Sequence, residues 1–137
     1  MMRIQSLLYS ILAAVLLLAA GGCSRPSPAT ACEDTICTEI FMAVMVQVSD
    51  TAGNPVQLDE YYTLRGTERL PAAVSPPENG RYVVVDDRIV ASLANKTETF
   101  RFVGKKNGAE VVNEQYQVRG DCCHVHKEQG KDQVVIP

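Results

Sequence analysis

"IFMAVMVQVSD", residues 40–50, decides the fold. Ile40, Met42, Val44, Val46 and Val48 fall on one side, and Phe41, Ala43, Met45 and Gln47 on the other, which is the period of two of an extended strand. One side is wholly apolar, so the stretch is expected to lay that side on a core. Met42 and Met45 then read as core fillers rather than copper ligands.

Downstream, "SDTAGNPVQLDEYYTLR" (49–65) supplies turn residues at Asp50, Gly53, Asn54 and Pro55 and then resumes extended structure, which predicts a hairpin-like return. Of Tyr61 and Tyr62, one is expected to pack inward and the other to be a wet strand residue; the pair is also a candidate ligand surface. Residues 66–80, with Pro71, Pro76 and Pro77, predict a long loop or edge region. "RYVVVDD" (81–87) is a short β-branched strand, and a helical turn fits Asp87 to Leu93. Asp86 and Asp87 read as turn caps rather than an acid/base pair, because strand neighbours point apart.

The clearest hairpin is "FRFVGKKNGAEVVNEQYQV" (100–118), where Asn107-Gly108 tolerates the positive φ of a tight turn and Phe100 and Phe102 share a face. The final segment "CCHVHKEQGKDQVVIP" (122–137) predicts a strand, a turn at Gly130 and a last strand. About seven short strands, turns every eight to twelve residues and no long amphipathic helix argue an all-β antiparallel sandwich.

Upstream the composition changes. The chain opens with Arg3, an apolar run from Ile11 to Ala20 and the small pair Gly21-Gly22 before Cys23. This is the layout of a secretory signal peptide over residues 1–22, and the run is short for a membrane span of about 20 residues. "AAGGCS" (19–24) resembles a bacterial lipobox, although Ala20 stands where such boxes usually carry leucine. The resemblance implies that Cys23 is the lipidated residue and that 23–31, with "SRPSPAT", is a tether. Ser24, in place of an inner-membrane-retaining aspartate, implies outer-membrane anchoring, with the periplasmic face favoured.

The 137 residues carry 13 basic and 16 acidic side chains. Loss of Arg3 with residues 1–22 leaves 12 − 16 = −4, without a basic stripe or interleaved aromatics, and nucleic-acid binding is set aside. The domain over 32–137 can bury one ordinary core and gains from cross-links.

"VMVQVSDTAGNPV" resembles the start of carboxypeptidase-regulatory-like and transthyretin-like, immunoglobulin-like sandwiches, in which V-x-V-x-D-x-x-G-x-P-V joins the first two strands. Those positions are Val46, Val48, Asp50, Gly53, Pro55 and Val56. With the lipobox and paired cysteines, the chain is similar to small bacterial envelope lipoproteins bearing such a domain. The resemblance implies an accessory module and transfers no catalytic residue. A non-enzymatic role is therefore expected, with the membrane as one partner through the anchor and an unidentified envelope protein or glycan as another.

Five cysteines are present; with Cys23 lipidated, Cys32, Cys37, Cys122 and Cys123 form an even set for an oxidising compartment. A bond between neighbours 122 and 123 closes a strained ring, which leaves two cross-links between the pairs, Cys37 with Cys122 favoured. Continuing the strand pattern puts Cys123 with Val125 facing inward and Cys122, His124 and His126 outward. That outward set, beside Asp121, is the candidate zinc or copper site and defines the alternative function, a periplasmic metal-binding lipoprotein. The simpler expectation is no cofactor and exposed histidines beside a disulfide. No serine carries a G-x-S-x-G elbow.

Overall fold

A computed structural model describes residues 32–73, 75–93 and 95–137. The readings for residues 1–22, Cys23 and the tether 23–31 lie outside the described residues. Eight strands form two sheets: β1 (Ala43–Asp50), β2 (Glu60–Arg65), β3 (Glu68–Arg69), β4 (Arg81–Asp86), β5 (Thr97–Lys106), β6 (Ala109–Gly120), β7 (Val125–Gln129) and β8 (Gln133–Ile136). The orders are β4-β1-β8 and β3-β2-β5-β6-β7. The result is a sandwich-like all-β fold, antiparallel in every pair except β1 with β8, which run parallel.

The core lies between the sheets. Val44, Val46 and Val48 of β1, Tyr82 and Val84 of β4, and Phe100, Phe102, Tyr116 and Val118 of β5–β6 are buried in one cluster. The predicted alternation of β1 therefore holds from Val44 onward. It stops short at the other end: Met42 and Ile40 are 40% and 63% exposed, and Met45 is half-buried on the outer side. The pairing ends at Ala43 with Asp86, because the next residue, Asp87, opens a 3₁₀ turn (Asp87–Ile89) that runs on as a single α-turn, α1 (Val90–Leu93). Asp86 caps that turn, accepting from the Arg88 N–H at 3.1 Å, as the sequence suggests.

The β5–β6 hairpin is as expected, with Asn107 and Gly108 at φ 52° and 76°. The turn after β1 also forms, with Asp50 accepting from the N–H groups of Ala52 and Asn54. The return itself is a different matter. β2 crosses to the other sheet and pairs with β5, so the two strands make no hairpin. The crossover is pinned by Tyr82, whose hydroxyl accepts from Leu58 N at 2.7 Å and donates to Val56 O at 2.9 Å inside the core. A buried phenol needs such partners, and here it ties two layers together.

Candidate functional site: the cystine and histidine corner

The sulfurs, imidazoles and carboxylates singled out by the sequence meet where an irregular N-terminal arm, residues 32–42, crosses the turn between β6 and β7. Two cystines join them, Cys32–Cys122 and Cys37–Cys123, with Cα atoms 5.3 and 5.4 Å apart. All four predicted cysteines are used, but the favoured Cys37–Cys122 pairing is replaced by the other connectivity. The reason is the direction of the arm. Thr38 lies against His124 (Oγ1 to Nε2, 3.2 Å), so its neighbour Cys37 reaches Cys123. Cys32, one turn earlier, meets Cys122 on the side of Asn95, whose amide nitrogen is 3.3 Å from the Cys32 sulfur.

Residues 121–124 form a turn, and β7 begins at Val125. The strand alternation therefore does not extend back to the cysteines, both of which are half-buried rather than one in and one out. Val125 does face the core, at 2% exposure. Asp121 organises the turn by accepting from the N–H groups of Cys123 and His124, each at 2.7 Å. Those two bonds, with a further one from His126, outweigh partial burial and hold the Asp121 carboxyl far below the ordinary carboxylate range.

Asp87 does the same for the arm. Its Oδ2 accepts from Met42 N at 2.7 Å and lies 2.8 Å from His124 Nδ1, while Oδ1 accepts from Val125 N at 2.8 Å. Burial alone would raise this carboxyl; the hydrogen bonds from His124, Met42 and Val125 prevail and lower it. α1 fixes the height of Asp87. Leu93 presses on β6 at Gly120, where a Cβ would sit 2.7 Å from that of Leu93, so only glycine allows this approach.

The two histidines are thus unlike. His124 is 18% exposed with its ring bonded at both nitrogens, and its Nδ1–H faces a carboxylate. His126 is 42% exposed and lies 2.6 Å from Asp121 through Nε2. Both are half-buried and each is paired with a carboxylate, so simple surface exposure, the expectation from sequence, describes neither, although His126 is the more open of the two. For a metal, the cysteine sulfurs offer no thiolate once oxidised, and no group of three or more His, Cys, Asp or Glu among the described residues is arranged to hold an ion. Asp87, His124 and Thr38 do stand in the order carboxylate, imidazole, hydroxyl of an activated nucleophile. Asp87 is also bonded to the backbone N–H groups of Met42 and Val125, so the row ties the arm to the start of β7 as a clasp.

A second candidate surface lies at the open side of the sandwich, where Tyr61, Leu70, Val84 and Arg88 border a cleft of about 210 Å³. Tyr61 turns inward onto Tyr82, with ring centroids 4.9 Å apart, while the guanidinium of Arg69 covers the Tyr62 ring at 4.2 Å. That inward and outward division is the one expected. The cleft is smaller than the roughly 300–1,000 Å³ typical of small-molecule sites. Among the described residues no buried side-chain polar atom lacks a hydrogen-bond partner.

Fold and site together define a class: a small sandwich-like β domain whose N-terminal arm is clasped by two cystines and the half-buried carboxylate of Asp87. Comparison with family models, with the curated proteins and with the solved structures found no match to this chain.

Proposed function

We propose that the protein is a non-enzymatic lipoprotein of a bacterial envelope, anchored to the outer membrane through Cys23 and facing the periplasm, with residues 32–137 serving as a binding or structural accessory domain. The observation that carries this reading is the pair of cystines in a domain that follows "AAGGC". Stable disulfides belong to oxidising compartments, and an export signal with a lipobox leads to one. The clasp supports a structural use of the cysteines and histidines. The resemblance of "VMVQVSDTAGNPV" to carboxypeptidase-regulatory-like domains supports an accessory role, with an envelope protein or a glycan as partner.

The test is the intact mass of the full chain expressed in a bacterium with an outer membrane. A mature chain beginning at Cys23, carrying a diacylglyceryl thioether and an amide-linked acyl group and lacking four hydrogens for two cystines, is expected. A Cys23→Ser variant should leave the membrane fraction. A mature chain without lipid would sink the proposal.

A further inference from the structure

The arm that the clasp holds is short and irregular, yet it carries four of the largest apolar exposures among the described residues. Ile36 is 96% exposed, Ile40 63%, Phe41 58% and Met42 40%. Scattered exposed apolar side chains need no explanation, but four within seven consecutive positions do. Their place is fixed, because Cys32 and Cys37 are bonded to the β6–β7 turn and Met42 N to Asp87. The same corner is where residues 1–31 join the described domain.

We infer that this arm is a membrane-contacting surface: Ile36, Ile40, Phe41 and Met42 enter the interface of the bilayer that holds the lipid of Cys23. The inference rests on the lipid-anchor reading. Nine peptide units separate Cys23 from Cys32, and a chain extends at most about 3.3–3.6 Å per residue, so the domain's first bonded residue stays within about 30 Å of the anchor. A tether of that length holds the arm near the lipid at an effective concentration in the millimolar range, where weak apolar contacts count. A bilayer interface is also a fitting partner in kind, since an irregular arm offers no preformed groove and a fluid surface demands none. Amphipathic segments bind in this way, apolar side chains at the headgroup boundary and polar ones in water. The arm's exposed acidic side chains, Glu33, Asp34 and Glu39, repel an anionic surface and favour a zwitterionic one.

The experiment uses the absence of tryptophan from the chain. Phe41→Trp introduces one indole on the arm. Val135→Trp introduces one on an exposed position beside Ser49, six residues and about 20 Å along β1 from Ala43. Each full-length variant is expressed with its own N-terminal region, checked by mass for lipid on Cys23, and reconstituted into phosphatidylcholine vesicles with or without brominated acyl chains. The Phe41→Trp protein should shift its emission to the blue and lose most of it on brominated lipid, while the Val135→Trp protein should stay in water. Lipid on Cys23 with both indoles in water would overturn the contact and leave the anchor standing. Equal quenching of both would also overturn it, by removing the distinction between the two ends. An N-terminus without lipid would overturn the anchor and the contact together.

Discussion

The β5–β6 hairpin and the clasped corner meet at the end of β6 but are held by different forces. Phe100, Phe102 and Tyr116 are wholly buried, so the hairpin is secured by apolar area removed from water. The arm buries almost none of its side chains from Glu33 to Met42 and is secured by two covalent bonds and the carboxylates of Asp87 and Asp121. Hydrophobic burial spreads stability over many weak contacts, whereas a clasp concentrates it in a few bonds that redox conditions or acid can undo.

The largest effect expected is on the hairpin side. Phe102→Ala should cost about 3–5 kcal/mol in denaturant unfolding, from lost transfer energy and the cavity left behind. Removing one staple with Cys37→Ser and Cys123→Ser together should cost about 2–4 kcal/mol in the same assay, since the bond closes a long loop but the other cystine already restricts the chain. A loss from the double variant clearly greater than that from Phe102→Ala would break the contrast.

Next comes Asp87→Asn, expected to cost about 1–3 kcal/mol because charge-assisted bonds to Met42, Val125 and His124 weaken. Hydrogen exchange should localise its effect to the arm and the start of β7. Both Asp87 and Asp121 have folded pKa values below the ordinary 3.8, so their stabilisation is full above that value and is lost as pH falls through the folded ones. Stability measured from pH 6 downward should therefore decline on the acid side of about pH 4, and Asp121→Asn should flatten that limb. The smallest effects separate the histidines. His124→Ala should cost about 1 kcal/mol and His126→Ala less than about 0.5, by thermal melting. Equal losses for the cystine variant and both histidine variants would contradict the structural account of the corner.

Much of this was legible in the sequence where the signal is local. Val44, Val46 and Val48 announce a strand face, and Asn107-Gly108 announces its hairpin, because alternation and turn chemistry act between near neighbours. What failed was non-local. The period of two runs on to Met42 and Ile40, but the strand ends where its partner β4 ends, and no pattern within residues 40–50 records where Asp86 lies. The turn at Asp50–Asn54 was readable, whereas the crossing of β2 to the other sheet depends on Tyr82, twenty-four residues beyond Leu58. The cysteine set was countable and its connectivity was not, since that follows from the path of the arm past His124. Asp87 gave no sign of its role because its partners are 45, 37 and 38 residues away.

The Cys32–Cys122 and Cys37–Cys123 bonds also set the route of mechanical load. A pull applied from the N-terminal side enters at Cys32 and passes through sulfur to Cys122, two residues past the end of the longest strand, without straining the arm or peeling β1. Between the two ends of the domain, only the fourteen residues after Cys123 can pay out while both cystines stand. At about 3.4 Å per residue, that limits the extension to roughly 50 Å. Force spectroscopy on the oxidised chain should find this short release, and reduction should free the rest of the domain. Under tension the domain behaves as a link with a short leash.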